Sequence, residues 1–179
     1  MPECGSATTK LIVLRGNSGS GKSTAAQAVR DRYGRGIAIV GQDNLRRIVL
    51  RERDAPGAAN IGLIDLTARY ALDHGYHVIV EGILYAAHYG DMLRRLNTDH
   101  RGISRFFYFD VSFEETLRRH ATKPQAHEFG EPEMRDWYRP RDVLTGVDEA
   151  CIPEAASLEE AVTRIMREAE VPVRQAPVS

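Results

Sequence analysis

Short apolar runs alternate along the chain with stretches whose apolar residues recur every three or four positions, the order that builds a parallel sheet covered by helices on both faces. The pattern predicts strands over Lys10 to Arg15, Gly36 to Val40, His77 to Glu81, Arg105 to Asp110 and Glu149 to Ile152. Helices are predicted over Lys22 to Tyr33, Asp43 to Arg53, Ala87 to Leu96 and Phe113 to His120. After a turn at Asp54-Ala55-Pro56-Gly57, Ile61, Ile64, Ala68 and Ala71 share one helical face that ends near His74-Gly75. A closing helix buries Leu158, Ala161, Val162, Ile165 and Met166, with Ser157 and Glu160 as its capping box. Between Ala121 and Glu133 the apolar period stops and Pro124, Gly130 and Pro132 appear, which marks a loop or short lid. The expected organisation is an unpacked arm over residues 1–9, one α/β domain over 10–170 with its lid at 119–135, and an unpacked tail over 171–179.

Behind the apolar run Leu11-Ile12-Val13-Leu14 stands Gly16-Asn17-Ser18-Gly19-Ser20-Gly21-Lys22-Ser23, a complete GxxxxGKS phosphate-binding loop between a strand and a helix. Its glycines let successive backbone N–H groups turn inward around a polyphosphate, and the helix beginning near Gly21 directs its positive end at the same oxygens. Lys22 is placed to reach the β- and γ-phosphates, and Ser23 offers a hydroxyl to the Mg²⁺ that bridges them. The nucleotide site read from the loop runs from Gly16 through Thr24.

The remaining candidates stand at predicted strand ends, where ligands of such sheets bind. Asp43 follows the second strand, with Arg46 about one helical turn on. Asp43 is placed to accept a proton from a substrate hydroxyl while Arg46 steadies an anionic group, and a helix cap with a surface arginine is the competing reading. Glu81 ends the third strand, where it can hold Mg²⁺ or contact substrate, and Gly82 leaves room for a ligand at the backbone; a strand-end acid paired with a basic residue is the alternative. Asp110 ends the fourth strand and reads as a cap for the next helix, with a place near the metal as its other role. Arg118, Arg119 and Lys123 lead into the lid, and Arg119 is the first choice for a cation that closes on the γ-phosphoryl group. Arg135, Arg139 and Arg141 surround Trp137 and Tyr138, either lining a pocket or accompanying an aromatic pair packed between helices.

Composition narrows the setting. With 24 Lys and Arg against 25 Asp and Glu, the net charge of −1 argues against a bulk basic field for nucleic acid, so a small-molecule acceptor is preferred over a nucleic-acid end. Cys4 and Cys151 form no CxxC pair, His74-x-x-His77 straddles a helix end and a strand start, and no G-x-S-x-G elbow is present. A reducing cytoplasm suits this cysteine usage, and no apolar stretch approaches a membrane span, so a soluble protein that is not exported and has no membrane partner is expected.

Taken together, GNSGSGKS, Asp43-x-x-Arg46, Glu81-Gly82 and the helix carrying Arg119 resemble the small P-loop kinases over residues 10–168. Asp43-x-x-Arg46 resembles the base and phosphate-contacting arginine of polynucleotide 5′-hydroxyl kinases. The same aspartate position is similar to that of chloramphenicol phosphotransferase and the zeta-toxin kinases of nucleotide sugars, and VIVEG is similar to the latter. The resemblance implies a three-layer P-loop fold with a five-stranded parallel sheet, ATP and Mg²⁺ held by Lys22 and Ser23, Asp43 as base, Arg46 as a substrate contact and Arg119 as lid cation. It also implies adenine near Ile152 to Glu154, while Lys123 stands where many relatives carry a second lid arginine. The expected activity is transfer of the γ-phosphate to a hydroxyl of a metabolite, antibiotic or nucleotide-type acceptor, contacted by Asn44 to Leu72 and by Tyr85, His88 and Tyr89. The alternatives are a polynucleotide 5′-hydroxyl kinase, a nucleotide-dependent switch ATPase, against which stands the lack of an Asn-Lys-x-Asp motif, and a toxin-like kinase that depletes a metabolite. Monomer and dimer both accommodate such a site.

Overall fold

The computed structural model describes residues 2–122 and 129–173. Five strands, β1 (Lys10–Gly16), β2 (Ile37–Gly41), β3 (His77–Gly82), β4 (Ile103–Asp110) and β5 (Glu149–Pro153), form one sheet in the order β2-β3-β1-β4-β5. All neighbours are parallel, with Leu11 opposite Val78 on one side and Ser104 on the other. Alternation along β1 explains the layering: Ile12 and Leu14 face one core, Leu11 and Val13 the other. On the first face, α1 (Lys22–Tyr33) and α6 (Leu158–Glu168) bury Val29, Val162 and Ile165 against Ile79, Phe107 and Phe109. On the second, α2 (Ala59–Asp73) and α3 (Ala86–Asp99) bury Ile64, Leu93 and Leu96 against Val78, Val80 and Phe106. The expected three-layer α/β architecture and five-stranded parallel sheet are therefore present.

Two short helices complete the chain: α4 (Phe113–His120) and α5 (Glu131–Trp137). The latter lies partly in the region expected to be an irregular lid; Met134 is its one buried residue, too little to create an apolar period, and Pro132 with the Glu133 carboxylate, which accepts from Gly130 N at 3.0 Å, starts it. Residues 123–128 of that lid, including Lys123, lie outside the described residues. The helix expected over Asp43 to Arg53 is instead a π-helical segment, Asn44–Val49, with no buried residue. Glu52 turns back beyond it to accept the N–H groups of Ala59 and Asn60 at 2.8 Å each, satisfying the open end of α2.

The arm is a correction. Cys4 is 3% exposed, bridges to the strand-like backbone of His100, and donates its N–H to Asp99 O at 2.9 Å. Thr9 is buried with its hydroxyl 3.0 Å from His100 Nε2, so the arm is fixed by hydrogen bonds that an apolar pattern does not reveal. At the other end Val171 packs into the first core, so the tail does not begin there; residues 174–179 lie outside the described residues.

Arg15 leaves the middle of the sheet for the far side of the site. Its side chain is 0% exposed and donates to both carboxylate oxygens of Glu149 at 2.8 and 3.0 Å, to Asp142 Oδ2 at 3.0 Å, and to the carbonyls of Leu84 and Asp142. Every donor direction of the guanidinium is thereby used, which is the condition for burying it. The pair fixes β5 and the segment around Asp142 to the central strand.

Candidate active site

The phosphate loop lies between the carboxyl end of β1 and α1, at the point where the chain's connections diverge to either side of the central strand. Gly21 precedes α1 with φ +104°, a left-handed conformation that only glycine adopts without strain, and this turn aims the first N–H groups of the helix at the loop. The Lys22 ammonium folds back over the loop, donating to Asn17 O at 2.7 Å and Ser20 Oγ at 3.0 Å. The Ser23 hydroxyl donates to Glu81 Oε2 at 3.0 Å, so the strand-end acid of β3 reaches the loop as the sequence led one to expect. A hydroxyl and a carboxylate are hard oxygen donors of the kind Mg²⁺ takes alongside phosphate oxygens and water. Among the described residues there is no cluster of three or more His, Cys, Asp or Glu side chains that could hold a metal ion.

Two cavities border this loop. The first, about 350 Å³, lies beside Gly19, Ser20, Gly21 and Thr24 and extends to Ile152, Pro153 and Leu158. The strand-to-helix connection of β5 and α6 therefore borders it, the stretch that the resemblance to small P-loop kinases implies for adenine. Arg119 lies on its rim, donating to Ser20 O and Glu154 O at 3.0 Å each and to Glu115 Oε1 at 2.6 Å. Hydrogen bonds from Arg118 and Arg119 hold the Glu115 carboxyl down at about 2, so it is a permanent anion beside that arginine. Arg118 is exposed and turned to Glu115.

The second cavity, about 480 Å³, opens on the other side of the loop at Ser18. Asp43 and Arg46 line it, joined by a hydrogen bond of 3.0 Å from Arg46 Nη2 to Asp43 Oδ1. The Asp43 carboxylate makes no capping bond to the π-helical segment and is 69% exposed, so the competing reading of a helix cap does not hold. Tyr85, His88, Trp137 and Arg139 border the same space, which resolves the aromatic-arginine cluster after α5 in favour of a pocket wall for Trp137 and Arg139. Burial pushes the Tyr85 phenol up to about 12, and its hydroxyl donates to Trp137 O at 2.6 Å.

Other expected members lie elsewhere. Tyr138 packs edge-on against Phe113 with ring centres 5.3 Å apart, and Arg135 lies over the same ring. Arg141 pairs with Asp110 at 3.3 Å, and α4 is capped by the Ser112 hydroxyl rather than by Asp110. Tyr89 is wholly buried, its hydroxyl bonded to Gln42, Asp54 and Asn60. Gly82 makes room for Gln42 rather than for a ligand: a Cβ there would meet Gln42 Cβ at 2.5 Å. Arg53 and Asp54 fall within the segment expected to face the acceptor, whereas the sequence reading missed Phe129 and Asp136 in the second cavity. Asp54 is tied to Gln42 Nε2 at 3.0 Å and His88 Nδ1 at 3.2 Å, contacts that only the tertiary fold creates.

Among the described residues no helix is long and apolar enough to cross a membrane. No curated protein sequence matches the chain. Its fold is similar to that of the Mycobacterium tuberculosis APS kinase CysC in complex with AMPPNP and APS, at 21% identity, TM-score 0.70, and coverage of 94% of this chain and 99% of that one. A gluconokinase from Sinorhizobium meliloti aligns at 20% identity and TM-score 0.61, covering 95% and 96% of the two chains. The Deinococcus radiodurans tunicamycin resistance protein aligns at 14% identity and TM-score 0.57, covering 94% and 99%. Residues 11–142 match the AAA_33 profile, described as an AAA domain, which takes in the loop, Asp43, Glu81 and Arg119. The chain belongs to the AAA_33 family, and its architecture is that of a small P-loop kinase.

Proposed function

We propose that the protein is an ATP- and Mg²⁺-dependent phosphotransferase that moves the γ-phosphate to a hydroxyl of a small molecule, with Asp43 as general base. The observation that carries this reading is that two cavities border neighbouring residues of one phosphate loop, Gly19 to Gly21 the first and Ser18 the second, with the Asp43 carboxylate, free of any capping bond, in the second. A donor in the first cavity and an acceptor in the second would approach each other across the loop, which is what in-line transfer requires.

In the proposed step Asp43 takes the proton of the acceptor hydroxyl. The acceptor oxygen forms a bond to the γ-phosphorus, the bond from that phosphorus to the bridging oxygen breaks, and ADP leaves with the electron pair. Residues Gly16 to Thr24 hold the polyphosphate through backbone N–H groups, the Lys22 ammonium and the Ser23 hydroxyl. When bound at Ser23 and Glu81, Mg²⁺ would neutralise charge on the β- and γ-phosphoryl oxygens. Arg119, restrained at the cavity rim by Ser20 O and Glu154 O, supplies a fixed positive charge at the same end. Arg46 orients Asp43 and meets the acceptor. The free cysteines, Cys4 buried and Cys151 exposed, agree with the reducing cytoplasm we assign to it.

The test is transfer of labelled γ-phosphate to a panel of antibiotics, nucleosides, sugar nucleotides and 5′-hydroxyl oligonucleotides by the parent and by Asp43→Asn. Label should move to one acceptor class, and the variant should bind nucleotide normally but transfer at least ~100-fold more slowly. Equal transfer by the variant would remove Asp43 from the mechanism. Release of phosphate alone, unchanged by the substitution, would favour a switch ATPase.

A further inference from the structure

The second cavity is more basic than a neutral acceptor needs. Arg46, Arg47, Arg53 and Arg139 border it, contributed by the π-helical segment, the loop after it and the chain beyond α5. Of its three carboxylates among the described residues, Asp43, Asp54 and Asp136, the first two are committed, which leaves four arginines against one unengaged acid. Asp54 is held by Gln42, His88 and Tyr89, and Asp43 by Arg46. Among the described residues, Arg53 and Arg139 pair with no carboxylate. Arg139 bonds only to the carbonyls of Asp136 and Tyr138 through its side chain, and its guanidinium lies over the Tyr85 ring at 5.5 Å. Arg46 Nε is buried and is the one buried side-chain polar atom among the described residues without a hydrogen-bond partner. A buried N–H of a guanidinium left unmatched costs free energy that an incoming oxygen would recover.

The rest of the wall is aromatic. Tyr85, Trp137 and Phe129 border the space, and Phe129 meets Trp137 edge-on with ring centres 5.0 Å apart. Faces of this kind take a planar ring by stacking. A volume of about 480 Å³ holds a compact ligand and no extended polymer.

We propose that this cavity takes a hydroxyl compound that also carries a phosphate-type anion and a planar ring, of about the size of one nucleoside monophosphate. The anion is met by Arg139 and Arg53, the ring lies against the aromatic wall, and the hydroxyl is presented to Asp43. This specifies the acceptor and rests on the phosphotransferase reading. A neutral polyol or antibiotic would leave the arginines facing bare solvent or one another.

The molecule contains its own probe, because Trp137 is its one tryptophan and borders this cavity. The first cavity is saturated with Mg²⁺ and AMPPNP, that binding being measured by calorimetry, and Trp137 fluorescence is then followed during titration with AMP, UMP, adenosine, uridine and glycerol 3-phosphate. The monophosphates should change the emission at least tenfold more tightly than the nucleosides or glycerol 3-phosphate. Arg139→Ala should weaken the monophosphates at least tenfold without altering AMPPNP binding. Nucleosides binding as tightly as their monophosphates would overturn the anion requirement, and glycerol 3-phosphate binding as tightly as UMP would overturn the ring. Failure of all five compounds with AMPPNP bound would sink this proposal alone, whereas failure of AMPPNP itself to bind would sink the phosphotransferase reading beneath it.

Discussion

The side-chain amide of Asn17 closes on the peptide of Arg139 from both sides, accepting from its N–H at 2.8 Å and donating to its carbonyl at 2.8 Å. The backbone carbonyl of the same Asn17 receives the Lys22 ammonium. One residue therefore touches the lysine of the phosphate loop and fixes the backbone of an arginine that borders the second cavity.

Replacing Asn17 by Ala removes both bonds and leaves the Arg139 N–H without that partner. We expect a loss of about 1–3 kcal/mol, read as a lower urea midpoint at unchanged m-value. Nucleotide affinity, which rests on loop backbone and Lys22, should change by less than about threefold on this division of labour. A full retention of the urea midpoint would mean that the clamp contributes nothing to holding the Arg139 segment.

Glu81 reaches Ser23 across the end of the sheet, and the two together form the oxygen set assigned to Mg²⁺. In Glu81→Gln the charge is lost while size and hydrogen bonding persist. The Mg²⁺ concentration needed for half-maximal transfer should rise by ~10-fold or more, as for other losses at a metal's supporting shell. An unchanged Mg²⁺ dependence would place the ion elsewhere.

The framework around these residues was largely legible because its signals are local. GxxxxGKS fixes its own turn, and five apolar runs with alternating faces specify a buried parallel sheet. The π-helical segment was not, since six residues do not distinguish a wider helical period from an ordinary one and none of them is buried. Phe129 escaped notice, and Arg53 and Asp54 were not singled out within the Asn44 to Leu72 segment, for a different reason. Each is an unremarkable loop residue until β3, α3 and α5 bring Ile83, His88 and Trp137 to the same space. Gly82 carried a true signal of close approach that was assigned to the wrong neighbour, because Gln42 arrives from an adjacent strand.

Arg15 is buried against two carboxylates, and its removal strands both. Arg15→Met should cost about 3–5 kcal/mol, the range for breaking a buried pair from one side. Replacing Glu149 by Gln in the same chain should recover part of that loss, since one stranded charge is then gone. Denaturant unfolding of the two variants measures this, and additive losses would show that the pair is not coupled.

His100 gives the fold a pH dependence of predictable sign. Burial, aided by the charge of Lys10, lowers its pKa from 6.5 to about 4, while its ring nitrogens face Thr9 and Ser104 hydroxyls. The unfolded chain therefore binds a proton more readily than the folded one. The associated stability is complete above pH 6.5 and is lost as the pH falls toward 4, amounting to about 3 kcal/mol. Thermal melts of His100→Gln should show a shallower decline across that window than the parent. Parallel curves would mean that other groups govern the acid limb.

The position of β1 at the centre of the sheet has a consequence for the order in which the molecule is completed. β1 is made first, yet both of its partners, β3 and β4, come later, and the Gly19 turn at its tip lies against Thr116 of α4. Pairings so distant in sequence form slowly, and an unpaired strand edge invites association with other chains. A nascent chain that ends after α3 holds β1 with one edge covered by β3 and the other bare. The phosphate loop is thus synthesised well before the strands and helix that complete its surroundings.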